Sequence, residues 1–154
     1  MILFYSDECE YAAKKTAIQT EDDVVCITEN VRNNTPATFE SFKTWTVITC
    51  LSEGRIPEEL SSWLLTAKLS ENREIYFVFT AGTDTSRAEA EAERLASRKD
   101  MMFMGCADIG QCAEGDPEAD ARIHAAAGII KENLSLQKHK KTIIDRINGL
   151  LGKL

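Results

Sequence analysis

Histidine is scarce in this chain of 154 residues, and neither His124 nor His139 stands in a ligand-spaced cluster, so a histidine-built metal centre is not expected. Long apolar runs are also missing, and nothing approaches the roughly 18 consecutive apolar residues of a membrane-spanning helix. The first residues, Met1-Ile2-Leu3-Phe4-Tyr5, are apolar but give way at Ser6, Asp7 and Glu8 with no basic stretch before them. No secretory signal is therefore expected. The five cysteines contain no Cys-x-x-Cys pair, and their odd number and wide spacing exclude a disulfide framework. A reducing cytoplasm is the expected compartment. Basic residues are in deficit, 18 against 25 acidic, giving a net charge of −7. That balance argues against a general nucleic-acid surface. There is no P-loop, no G-x-G-x-x-G, no G-x-S-x-G, no internal repeat and no low-complexity linker.

What is present suits one domain with enough core to fold without metal or disulfide staples. Hydrophobic residues make up 44% and charged residues 28%, which excludes disorder as a description of the whole chain. Short apolar runs at 1–5, 24–28, 45–50, 75–80 and 101–106 have strand character. Most are continuously apolar, as expected of strands covered on both faces. Helical signatures lie between them at 8–19, 57–69, 86–99 and from 116 to about 132. Pro57 with Glu58 and Glu59 marks one helix start, and Asp84, Thr85 or Ser86 can cap another. The stretch 28–45 is loop-like, with one helical turn near 39–42. Alternating strands and helices imply a mainly parallel sheet covered on both faces. The expected fold is a three-layer, doubly wound α/β domain of five parallel strands, order 2-1-3-4-5.

Residues 1–134 complete that domain. Beyond it, Ile143, Ile144, Ile147, Leu150, Leu151 and Leu154 recur at helical spacing opposite Lys140, Lys141, Arg146 and Lys153, so 135–154 is expected to be an amphipathic helix. It packs either on the body of the chain or on a partner, with a homodimer contact as the second reading. From Lys131 onward six basic residues face two acidic ones, so this end carries +4 and residues 1–130 carry −11. The asymmetry is either an interaction arrangement or the charge of a solvated helix.

In such a sheet a ligand sits at the carboxyl ends of the strands, where the strand order reverses. Three loops meet there. Cys50-Leu51-Ser52-Glu53-Gly54-Arg55-Ile56-Pro57 follows the third strand, Phe79-Thr80-Ala81-Gly82-Thr83 ends the fourth, and Ser6 follows the aromatic end of the first. Together these resemble the ligand loops of the flavodoxin-like superfamily, which binds FMN and carries out electron transfer to a redox partner protein or small acceptor. The resemblance implies that Ser6 faces the FMN phosphate. It also implies that Ser52, Gly54 and Arg55 on one side, and Thr80 and Gly82 on the other, flank the isoalloxazine ring.

The first loop departs from the pattern. Flavodoxins grip the phosphate with hydroxyl residues and a glycine, whereas this chain has Ser6-Asp7-Glu8-Cys9-Glu10-Tyr11. Carboxylates compete with a phosphate for the same helix N-terminal donors. Their repulsion at 4–6 Å is worth about 1 kcal/mol per charge. Lys14 and Lys15 come a full turn or more later, and Leu51 stands where an aromatic ring usually shields the flavin. Two functions follow: an FMN-dependent electron-transfer protein with an atypical phosphate loop, or a flavin-free interaction or accessory protein on the same fold.

A response-regulator reading shares the strand order but fails at Cys50 and Ser52, where a phosphoacceptor Asp belongs, and at Asp108, where a Lys belongs. Cys9 at a helix start is a conceivable nucleophile, but the adjacent carboxylates disfavour its thiolate, and it is read as a packed thiol. Cys26 and Cys50 lie in strand runs and read as small buried hydrophobes. Cys106 and Cys112 flank one loop and read as an inert pair, while Trp45 and Trp63 read as core.

Overall fold

The computed structural model describes residues 1–36, 38–39, 44–69 and 74–152. Along the chain the elements are β1 (Ile2–Tyr5), a 3-10 turn (Asp7–Cys9), α1 (Glu10–Thr20), β2 (Val24–Cys26) and α2 (Thr28–Arg32). Then come β3 (Thr38–Phe39), β4 (Thr44–Thr49), α3 (Glu58–Thr66), β5 (Lys68–Leu69) and β6 (Glu74–Phe79). The chain closes with α4 (Ser86–Arg98), β7 (Met102–Asp108) and α5 (Pro117–Leu151). The main sheet has five parallel strands in the order β2-β1-β4-β6-β7. Counting its own strands, that is the expected 2-1-3-4-5.

Continuous apolar runs become strands buried on both faces. All four residues of β1 are buried, as are the last five of β4 and of β6. Their side chains alternate between two cores. Leu3, Tyr5, Val47, Trp45, Phe77 and Phe79 meet α2, α3 and α4 on one face. Ile2, Phe4, Ile48, Tyr76 and Val78 meet α1 and α5 on the other. Trp45 and Trp63 are fully in the first core.

Several local features differ from the sequence reading. The segment after β2 begins with α2, where Val31 fills the first core and the Ile27 amide donates to Phe4 O at 3.0 Å. Thr38–Phe39 is a strand paired with β5, and residues 40–42 of the expected helical turn lie outside the described residues. Helix α3 stops at Thr66 because Ala67 is extended and leads into β5. The Lys99 ammonium donates to the Leu65 carbonyl at 3.2 Å and to Ala67 O, satisfying acceptors at that helix end. The two C-terminal helical segments are one unbroken helix, α5, opened by Pro117 and capped by Asp116, whose side chain accepts from Glu118 N at 3.0 Å.

The β6–β7 ladder shifts register between Ile75 and Phe77, opposite Phe103 and Cys106, so β7 carries one extra residue there. Gly105 sits in this bulge with φ +118, and a Cβ on it would lie 3.4 Å from the Tyr76 ring.

Candidate site at the carboxyl edge

Parallel pairing of β1 with β4 aligns Tyr5 with Thr49, and pairing of β4 with β6 aligns Thr49 with Phe79. The residues that follow these three strands therefore emerge side by side. Here lies an open cleft of about 810 Å³, lined among others by Tyr5, Ser6, Cys50, Ser52 and Arg55.

Ser6 leaves β1 with φ 82, a left-handed conformation uncommon for a residue with a side chain. Its amide donates to Thr28 Oγ1 at 2.9 Å, and its carbonyl accepts from Cys9 N at 3.0 Å. The 3-10 turn thus directs Asp7 and Glu8 to solvent and Cys9 inward, where it is fully buried. Glu10 is exposed and pairs with Lys14 at 2.8 Å.

Ser52 to Arg55 is a closed turn. Ser52 N donates to Arg55 O at 2.8 Å and Arg55 N to Ser52 O at 3.0 Å. Glu53 and Gly54 both have positive φ, 51 and 76, the signature of a primed turn that glycine favours. Arg55 turns its guanidinium to Glu91 of α4, with Nε–Oε1 at 2.7 Å, while the other carboxylate oxygen of Glu91 accepts from Ile56 N at 3.2 Å. Glu91 thereby anchors this loop to α4.

Thr80 and Gly82 face a different environment. One carboxylate oxygen of Asp108, Oδ1, accepts from Ala81 N at 3.0 Å, Gly82 N at 3.0 Å and Gly110 N at 2.9 Å. The amides of the loop after β6 are thus already engaged by a carboxylate. Thr80 is buried, with its hydroxyl 3.6 Å from the Cys9 sulfur. Of the six residues named from sequence, Ser6, Ser52 and Arg55 line the cleft and Gly54 shapes the turn beside it. Thr80 points to the core and Gly82 serves the Asp108 clasp.

Two features of this edge went unread in the sequence. The Tyr5 hydroxyl donates to Glu59 Oε1 at 2.7 Å. Burial, with Glu59 adding to it, pushes that phenol up to about 12, and the same hydrogen bond holds Glu59 below the usual carboxylate range. The second is a pair of thiols. Cys50 is half-buried at the cleft wall rather than a core hydrophobe, and it lies beside Thr80, whose hydroxyl is 3.6 Å from the sulfur of buried Cys9. A hydrogen bond from Cys9 lowers the Cys50 thiol to about 7, aided by Ser6 and opposed by burial and the Glu8 charge. The Cys9 thiol is correspondingly raised, first by that hydrogen bond and then by burial. The signal available in the sequence was topological: cysteines just beyond two strands that neighbour each other in the order 2-1-3-4-5.

The remaining thiols are unlike this pair. Cys26 is exposed rather than buried. Cys106 packs toward the first core and Cys112 toward the second, on opposite faces of the sheet, and burial raises both. Among the described residues no group of side chains is arranged to hold a metal ion. No described helix is long and apolar enough to cross a membrane.

Among solved structures, the chain is similar to a Bacillus cereus flavodoxin 2, with 11% identity, a TM-score of 0.60, and coverage of 86% of this chain and 97% of that one. A Streptococcus pneumonia TIGR4 flavodoxin aligns at 16% identity and TM-score 0.56 over 86% and 97%. A protein from P. pentosaceus described as an NADPH-quinone reductase aligns at 15% and 0.58 over 82% and 92%. The fold is flavodoxin-like. No family model matches the sequence, and no curated protein does.

On this flavodoxin-like frame the cleft lies beside the strand-order reversal at β1 and β4, where ligands bind in open α/β sheets. Its walls offer arginines and hydroxyls, but two sets of backbone donors, at Ser6 and at Ala81–Gly82, already have partners.

Proposed function

We propose that this protein is an FMN-associated, flavodoxin-like electron-transfer protein that holds its flavin by the ring side of the site and lacks the phosphate grip of the fold. The observation that carries this reading is the 810 Å³ cleft at the carboxyl edge, within the size range of cofactor pockets, bounded by Ser6 and the Ser52–Arg55 turn. When bound, FMN would supply the one- or two-electron chemistry. The chain's part is positional. The Ser52–Arg55 turn, pinned to α4 through Glu91, presents a rigid rim. Tyr5 and Glu59 fix the floor of the cleft through their 2.7 Å hydrogen bond.

The phosphate end fits less well. The Ser6 amide is bonded to Thr28, and Asp7 and Glu8 stand exposed at the start of α1 where an anion would dock. The loop therefore contributes little to phosphate affinity, and FMN and riboflavin should bind within a few-fold of each other. Titration of the purified chain with each, followed by flavin fluorescence and thermal shift, measures this. FMN binding at least a hundred-fold tighter than riboflavin would show that a phosphate grip exists after all.

The acidic loop and the Asp108 clasp also favour a second reading, a flavin-free accessory protein. A colourless chain unmoved by saturating FMN and riboflavin alike would select it. The redox partner in the first reading is a protein or small acceptor that reaches this edge of the sheet.

A further inference from the structure

We propose that Cys9 and Cys50 form a redox-active dithiol, with Cys50 as the attacking thiol and Cys9 as the resolving one, acting on low-molecular-weight disulfides that enter the carboxyl-edge cleft. The inference stands apart from the flavin reading, since neither thiol needs a cofactor for the exchange.

Placement divides the roles. Cys50 follows β4 and opens onto the cleft, so an incoming disulfide can reach it. Cys9 is buried at the end of the turn after β1, with Thr80 Oγ1 3.6 Å from its sulfur, and Cys50 lies beside Thr80 because Thr49 pairs with Phe79, packed against the same core as Cys9. A reactive, accessible thiolate backed by a shielded thiol is the arrangement that thiol–disulfide exchange requires. The direction in which the two thiols are shifted, Cys50 lowered and Cys9 raised, agrees with this division of roles.

The cleft fits a small disulfide that carries both signs of charge. Its volume accommodates a short peptide, and Arg32, Arg94 and Arg98 stand in its wall with Glu53 and Glu58, while Glu59 is engaged by Tyr5 and Glu91 by Arg55. Arginines are suited to the carboxylates of such a molecule.

The exchange balances in two steps. The Cys50 thiolate attacks one sulfur of the small disulfide, forming a mixed disulfide and expelling one thiolate. Cys9 then gives up its proton and attacks the Cys50 sulfur, forming the Cys9–Cys50 disulfide and expelling the second half. The small disulfide is reduced to two thiols, and the protein dithiol loses two electrons and two protons. Two molecules of the small thiol, acting in turn on the Cys9–Cys50 disulfide, reverse both steps and restore the dithiol.

The test uses flavin-free full-length chain and oxidised glutathione, with peptide mass mapping at neutral pH. The wild type should yield an internal Cys9–Cys50 disulfide. Cys9→Ser, with Cys9→Ala as an alternative should the serine variant misfold, should stop at glutathione on Cys50. In Cys50→Ser, Cys9 should stay unmodified. Exposed Cys26 serves as the internal reference and should react several-fold more slowly than Cys50, whose thiol is the lowered one. Glutathione on Cys26 with Cys9 and Cys50 still reduced in a folded wild type would overturn the proposal, as would Cys50 modification that Cys9 never resolves. Because the measurement excludes flavin, its failure leaves the FMN reading untouched, and the flavin titration likewise leaves this one untouched.

Discussion

A single carboxylate oxygen, Oδ1 of Asp108, holds together two loops at the edge of the sheet by accepting from Ala81, Gly82 and Gly110. In the sequence Asp108 stands out only as a residue out of place for a response regulator, because its role depends on β6 and β7 lying side by side. Asp108→Ala would leave three amides to water or to poorer partners. The site is exposed, so the loss should be modest, about 1–2 kcal/mol. Asp108→Asn keeps the accepting oxygen and should lose less than half as much. Urea denaturation of both variants checks this, and equal losses would mean that the charge, not the acceptor, matters. The same limit on legibility applies to the thiols. Cys9 and Cys50 are 41 positions apart in sequence. Each alone reads as a small hydrophobe, and only the Tyr5–Thr49 pairing turns them into neighbours. Ser6, Ser52 and Arg55, by contrast, were legible at the cleft because turn residues after an apolar strand announce themselves locally. Gly82 was legible as a turn glycine, while the carboxylate that claims its amide was not.

Strands β1, β4 and β6 were legible almost to the residue, since their buried stretches hold no charged side chain to blur the pattern. Short elements were not. Helix α2 has five residues, too few for helical periodicity, and it exists because Val31 closes a gap in the first core. The two-residue strands β3 and β5 carry no readable period at all. Strand β7 extends to Asp108 through a bulge that no alternation pattern reveals. That bulge gives a test at this scale. Gly105 has φ +118, outside the range L side chains readily adopt, and its Cβ would press on Tyr76 at 3.4 Å. Gly105→Ala should therefore cost about 1–3 kcal/mol. Gly128 lies in α5 with open space at its Cβ, and Gly128→Ala should be neutral or stabilising by up to about 1 kcal/mol. Thermal denaturation of the two variants side by side isolates backbone strain from the general effect of adding a methyl group. If Gly105→Ala melts no lower than Gly128→Ala, the bulge does not depend on glycine.

Across the whole molecule, charge and packing divide at nearly the same place. Ala119, Ile123, Ala126, Ala127 and Ile130 of α5 are buried against the sheet and α1. Farther along, Ile143, Ile144, Ile147, Leu150 and Leu151 are 44–67% exposed, so this stretch of the helix adds little buried apolar area to the single chain. The basic excess of +4 after residue 130 rides on the same extension, away from a body carrying −11. Stability from apolar burial scales with the area removed from water, about 25 cal/mol per Å². Side chains left this exposed cannot contribute much of it. A chain ending at Leu134 should therefore fold as the full chain does and melt within a few degrees of it at low protein concentration. Its net charge would move from −7 to −11, since residues 135–154 hold five basic and one acidic residue, so the acidic body is unmasked rather than altered.

 If the melting temperature instead falls by ten degrees or more at low protein concentration, with the full chain running as a single copy on a sizing column, the extension is packed on its own body in solution. A fall that appears only as the full chain is concentrated would assign the exposed stripe to contact between copies.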